Sequence, residues 1–105
     1  MRVLWSDPAS DQLEQVRELR LRQAIFRVIS GLAEFPEKGR RPPEAETYPE
    51  LDPEDDLREI VFPRLCRIFY RYRPKAGVIR VLGFAFAGQQ VSREWLAQFL
   101  ETRGD

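Results

Sequence analysis

The run Val78–Ala87 limits the fold of this chain more than any other feature, because it is apolar or small at every position except Arg80. Strict alternation puts Val78, Leu82, Phe84 and Phe86 on one face, and Ile79, Val81, Ala85 and Ala87 on the other. A strand that is apolar on both faces has to be covered on both faces. The rest of the chain must supply two layers, or one layer and a partner must supply the second. The run is also far shorter than the roughly 20 apolar residues that span a bilayer.

Two more strands precede it. Leu57–Phe62 stops at Pro63, and Leu65–Tyr72 stops before the turn Pro74-Lys75-Ala76-Gly77. Short connections make the three an antiparallel meander. In the middle strand Cys66, Ile68, Tyr70 and Tyr72 share one face, and Leu65, Arg67, Phe69, Arg71 and Arg73 share the other. Arg2-Val3-Leu4-Trp5 reads as a short opening strand. Asp7-Pro8 then reads as a helix cap followed by proline at the first helical position. Leu13, Val16 and Leu19 follow helical spacing, and so do Leu21, Ile25, Val28, Ile29 and Leu32, but the two sets are out of phase. A turn near Leu19–Arg22 therefore divides a helix pair, and Pro36 and Gly39 end the second helix. Residues 38–53 carry four prolines and many acids and read as a solvated loop. Val91–Thr102, with Ser92 as cap, reads as a last helix presenting Trp95, Leu96, Phe99 and Leu100. The expected fold class is α+β: a strand, a helix pair and a three-stranded meander in an antiparallel sheet, with a C-terminal helix. The expected extent is a single domain over residues 1–105.

Lys+Arg and Asp+Glu are 17 each, so the net charge is zero, but the charges are partitioned. Glu44–Glu59 holds 8 acidic residues and 1 basic, whereas Ile60–Arg80 holds 6 basic and none acidic. An anionic ligand would feel that basic block rather than the total. The basic residues are almost all arginine, the residue suited to planar bidentate contacts; the same composition also suits a merely solvated sheet face. No histidine is present, which removes the usual general base near neutral pH and the commonest zinc ligand. Cys66 alternates onto the core face of its strand and has no histidine to activate it. There is no phosphate-cradling GxxxxGK[ST] or GxGxxG pattern. No metal, no cofactor and no membrane segment is expected. The single cysteine and the absence of an export pattern suit a cytoplasmic protein. What remains is arginine and aromatic chemistry on a sheet: Arg side chains to hold phosphates, and Phe69 and Tyr72 to stack on bases.

The order of several short segments resembles the RelE/ParE superfamily, the toxins of type II toxin–antitoxin modules. They are Phe35-Pro36-Glu37-Lys38-Gly39-Arg40, then Leu57-Arg58-Glu59-Ile60, then Arg67-Ile68-Phe69-Tyr70-Arg71, then Val78-Ile79-Arg80-Val81-Leu82. The resemblance runs from Val3 to about Ala87. It implies an antiparallel sheet with two N-terminal helices on one face, and a toxin neutralised by a cognate antitoxin. One branch of the superfamily cleaves mRNA on the ribosome; the other inhibits DNA gyrase. Arg58 and Arg67 match two basic sheet positions of the ribonuclease branch and are the expected catalytic residues. Arg40, Arg71 and Arg73 are the expected phosphate- or target-binding residues. The match to the ribonuclease branch then departs. Ile60 stands where a second basic residue would follow, and the last strand runs out in Phe84-Ala85-Phe86-Ala87-Gly88-Gln89-Gln90, without a basic cluster. Two other readings stay open. One is a catalytically silent module that binds a protein through Phe84, Phe86 and Trp95, with a second copy of the chain also a candidate partner. The other is a plain nucleic-acid-binding module.

Overall fold

The computed structural model describes residues 1–47 and 56–100. The elements in chain order are β1 (Arg2–Trp5), α1 (Asp7–Glu14), α2 (Leu19–Gly31), α3 (Pro43–Thr47), β2 (Asp56–Phe62), β3 (Cys66–Arg73), β4 (Val78–Phe86) and α4 (Arg93–Leu100). Four strands form one sheet in the order β1-β4-β3-β2. The meander is antiparallel as expected; β1 joins it in parallel with β4, so the sheet is mixed. The doubly apolar strand thus lies inside the sheet, flanked by β1 and β3.

The two covers come from the chain itself. On one face Ala9, Ile25 and Ile29 of α1 and α2 pack on Cys66, Ile68, Val81 and Phe84. On the other, Ala45 of α3 and Leu96 of α4 pack on Leu57, Phe69, Leu82 and Ala85. The proline-rich stretch expected to be loop contains α3, and its residues 48–53 lie outside the described residues. Trp95 of α4 meets Phe69 edge to face, with ring centroids 5.6 Å apart.

Strict alternation fails in β4. Between β3 and β4 the register steps from Phe69↔Gly83 to Tyr70↔Val81, which leaves Leu82 as an extra residue. This bulge turns Phe84 to the α1–α2 face, with Val81 and Ile79, and away from Leu82. Gly83 sits at the bulge, where an added Cβ would lie 2.6 Å from the Phe99 ring and 3.0 Å from Gln12 Oε1. Only glycine lets α4 approach so closely.

The helix pair forms, with its boundaries shifted. Ser6, not Asp7, is the cap of α1: its Oγ accepts from Ala9 N–H (3.1 Å) and donates to Leu82 O (2.8 Å). The break falls at residues 15–18, before the expected turn. Arg22 of α2 reaches back across it and donates to Val16 O from Nε (3.1 Å) and Nη2 (2.6 Å), satisfying a carbonyl past the end of α1. Leu19 is exposed, so it belongs to neither apolar stripe. The second helix ends at Gly31, five residues short of Pro36. Ser92 caps α4, its Oγ accepting from Trp95 N–H at 3.0 Å.

β1 covers only the first half of β4. Beyond it the open edge is closed by side chains: Gln12 donates to Phe84 O and accepts from Phe84 N–H, both at 2.8 Å. An amide side chain thus stands in for one residue of a missing strand.

Candidate functional site

Alternation in β2 and β3 fixes where the sheet arginines point. Leu57, Glu59 and Val61 face α3 and α4, as do Arg67, Phe69, Arg71 and Arg73, because the register pairs Leu57 with Arg71 and Val61 with Arg67. Arg58 pairs with Tyr70 and faces the other way. The two residues expected to act together are therefore on opposite faces of the sheet.

Arg67 is held by two carboxylates. Its Nε donates to Glu59 Oε2 at 2.7 Å, and its Nη2 makes a short contact to the same oxygen. Nη1 and Nη2 donate to Glu44 Oε2 (3.0 Å) and Oε1 (2.7 Å) in a bidentate fork. The guanidinium also lies over the Phe69 ring, 4.8 Å from its centroid. Glu59 is wholly buried and accepts a further bond from Arg40 Nε at 2.9 Å. Arg40 and Glu59 also exchange backbone bonds, Glu59 N–H to Arg40 O at 2.7 Å and Arg40 N–H to Glu59 O at 2.9 Å. The Arg67 hydrogen bonds hold the Glu44 carboxyl below its ordinary range, against the opposing effect of burial. The same pairing raises Arg67 further above neutrality.

On the opposite face Arg58 pairs with Asp56 (2.9 Å), and its Nη1 donates to Glu37 O (3.0 Å) and Gly39 O (2.8 Å). The buried Tyr70 hydroxyl donates to Pro36 O and accepts from Gly39 N–H, both at 2.8 Å. Arg58 and Tyr70 together staple the Phe35–Arg40 segment to the sheet. At Gly39 an added Cβ would lie 2.6 Å from the Tyr70 hydroxyl and 2.7 Å from Glu59 O, so this close approach requires glycine.

Beside Arg67 a shallow cleft opens between the Phe62–Cys66 turn and the Ala85–Gln89 end of β4. The turn holds Arg64 in the left-handed region, at φ 67°. Among the described residues, the titratable side chains lining the cleft are Arg64, Cys66 and Arg67. Burial pushes the Cys66 thiol up to about 11, so it is an inert thiol at neutral pH. Among the described residues no group of three or more His, Cys, Asp or Glu could hold a metal ion.

The other expected site residues are scattered. Phe84 is fully buried against Trp5, and Trp95 packs on Phe69. The reason for expecting a partner there, an uncovered apolar strand, is removed by α1–α2 on one side and α3–α4 on the other. Phe86 is partly buried at the edge of the α1–α2 core. Phe69 is closed to base stacking, being 1% exposed. Arg71 and Arg73 lie towards the far end of the sheet from the cleft, with Arg80 as the register partner of Arg71.

Sequence reasoning missed Glu59, Glu44 and Arg80. Glu59 was readable: the turn at Pro63 sets it two residues from the position opposite Arg67, on the same face. Glu44 was not, because its place depends on a short helix folding back over the sheet. Arg80 was hidden inside an otherwise apolar strand.

Over residues 3–90 the sequence matches the family described as "ParE toxin of type II toxin-antitoxin system, parDE". The fold is similar to the crystal structure of the isolated E. coli RelE toxin, at 14% identity and a TM-score of 0.59, over 92% of this chain and 93% of that one. No curated protein matches the sequence.

Proposed function

Because this chain belongs to the ParE toxin family of type II toxin–antitoxin systems, we propose that it acts in the cytoplasm by binding a protein target, DNA gyrase, rather than by cleaving mRNA, and that a cognate antitoxin neutralises it. One observation carries the choice of target. One of the two sheet arginines expected to be catalytic in a ribonuclease, Arg67, is bound on all three nitrogens by Glu59 and Glu44. Cleavage through a ribose hydroxyl needs a group to take the proton and another to return one. Among the described residues, the cleft beside Arg67 presents two guanidiniums and a thiol at about 11. None of them transfers protons usefully at neutral pH, and the whole chain has no histidine. A ribonuclease with this site would rest on electrostatics whose central charge is already compensated.

The test is induced expression with and without the neighbouring gene, reading plasmid supercoiling and mRNA ends together. Growth arrest with altered supercoiling and intact transcripts, relieved by the neighbouring gene, is the expected result. New mRNA ends with unaltered supercoiling would overturn the choice of target. Unaffected growth, transcripts and supercoiling would leave a silent protein-binding module instead. Among the described residues no helix is long and apolar enough to cross a membrane.

A further inference from the structure

The two carboxylates that hold Arg67 differ in how firmly they are built in. Glu59 belongs to a sheet strand, its side chain is 0% exposed, and it accepts from both Arg67 and Arg40. Glu44 belongs to α3, a helix of five residues, too short to be stable without tertiary packing. Among the described residues, the α3 side chain packed in the core is Ala45, and one methyl group gives little hold. The Glu44 and Arg67 side chains stay 20% and 24% exposed, and the cleft lined by Arg64 and Arg67 brings solvent to that guanidinium.

The Glu44 carboxylate stands where an oxyanion from outside would sit. Its two oxygens take Arg67 Nη1 and Nη2 at 3.0 and 2.7 Å, a fork that fits a phosphate as well as a carboxylate. Arg40, exposed and with its Nε on Glu59, adds a second positive charge that acts on Glu44. Without Glu44, two guanidiniums would face the single buried carboxylate of Glu59, leaving positive charge open to solvent. The charge of the ligand decides whether it can compete. A tethered group acts at an effective concentration in about the millimolar range. A phosphodiester or a free carboxylate carries the same single charge as Glu44 and has no advantage over it. A phosphate monoester carries about −1.5 to −2 at pH 7 and has three acceptor oxygens. It can fill the Arg67 fork and face Arg40 at once. Phe69, beneath the guanidinium, is buried, so the site reads the phosphate and not a base stacked on that ring.

We propose that Arg67 and Arg40 form a binding site for a phosphate monoester, and that Glu44 on α3 closes this site as an internal competitor. Binding exchanges the Glu44 fork for the oxygens of the ligand, while Glu59 keeps its hold on Arg67 Nε. A displaced Glu44 no longer ties α3 to the sheet, so occupancy loosens α3. The proposal does not depend on the cellular target, because it concerns a dianion that neither a scissile phosphodiester nor a protein carboxylate supplies.

The experiment uses the purified full chain in buffer free of phosphate and sulfate, at about pH 7.5, where a monoester is mostly dianionic. The probes are phenyl phosphate, its methyl ester, which is a diester of one charge, and acetate. Titration calorimetry should show phenyl phosphate binding weakly to the parent and at least about tenfold more tightly to Glu44→Ala. In Glu44→Ala/Arg67→Gln that gain should vanish. The methyl ester and acetate should bind Glu44→Ala at least about fivefold less tightly than phenyl phosphate. Circular dichroism checks the fold of each variant; if Glu44→Ala is unfolded, Glu44→Gln, which keeps the length of the side chain without its charge, gives the same comparison. Equal affinity in the parent and the folded variant shows that Glu44 closes nothing and overturns the proposal. So does a gain that survives Arg67→Gln, which puts the ligand elsewhere, or equal binding of the methyl ester, which removes the specificity.

Discussion

Replacing Glu59 by Gln tests the centre of the site most directly. The substitution keeps the shape and one acceptor oxygen but removes the only charge of a fully buried side chain that faces two guanidiniums. Removing one partner from a buried ion pair costs about 3–5 kcal/mol. Two features of this site lower that figure. The Arg40 side chain is 68% exposed, so its loss contributes under about 1 kcal/mol. Arg67 keeps its fork to Glu44, so it is not left without a counter-charge. The expected cost of Glu59→Gln is therefore about 2–3 kcal/mol, a large share of the roughly 5–15 kcal/mol typical of a domain. In urea at pH 7 that lowers the midpoint by about 1–2 M with the slope unchanged. A double-mutant cycle then separates the partners: coupling of Glu59 to Arg67 should exceed about 1.5 kcal/mol, and coupling to Arg40 should stay below about 0.5 kcal/mol. A Glu59→Gln midpoint within about 0.3 M of the parent, or a stronger coupling to Arg40 than to Arg67, would refute the reasoning.

The Glu44–Arg67 contact is expected to make stability depend on pH. A carboxyl held below its ordinary value of 4.5 when folded contributes stability that is complete above that value. The contribution is lost as pH falls through the folded pKa, so the stability gap between the parent and Glu44→Gln should be full at pH 7 and shrink below about pH 4.5; a gap independent of pH would count against the contact. Gly39→Ala should cost about 2–4 kcal/mol, because a Cβ there meets both the Tyr70 hydroxyl and Glu59 O and disturbs the bonds they make; thermal unfolding reads it, and a neutral substitution would disprove the close approach. The Cys66 thiol should react with an aromatic disulfide reagent at pH 8 only after denaturation, and rapid reaction of the native protein would show that it is neither buried nor raised.

Much of the architecture was legible in the residues because periodicity reports burial directly. The strands and the helix pair were found from the spacing of apolar side chains, and the demand for two covers was met by α1–α2 and α3–α4. What escaped was set by tertiary contact. The bulge at Leu82 has no sequence mark beyond Gly83, and without it Phe84 falls on the wrong face. Ser6 lost the cap to Asp7 because both residue types cap helices and Pro8 fits either frame. At the site, composition announced basic charge but not its compensation. Arg67 and Glu44 are 23 residues apart, and only a fold-back of α3 joins them.

The place of β1 has a consequence for the order of synthesis. Ser6 Oγ donates to Leu82 O across 76 residues of sequence, and among the described residues β1 has its strand partner in Val78–Val81. β1 and the helix that follows it leave the ribosome before β4, and β1 has no strand to pair with until β4 has been made. Contacts of such long sequence separation close late and slow the final assembly. A nascent chain stopped before residue 78 would lack the strand on which both cores are built, so this fold can be completed only once β4 has been made.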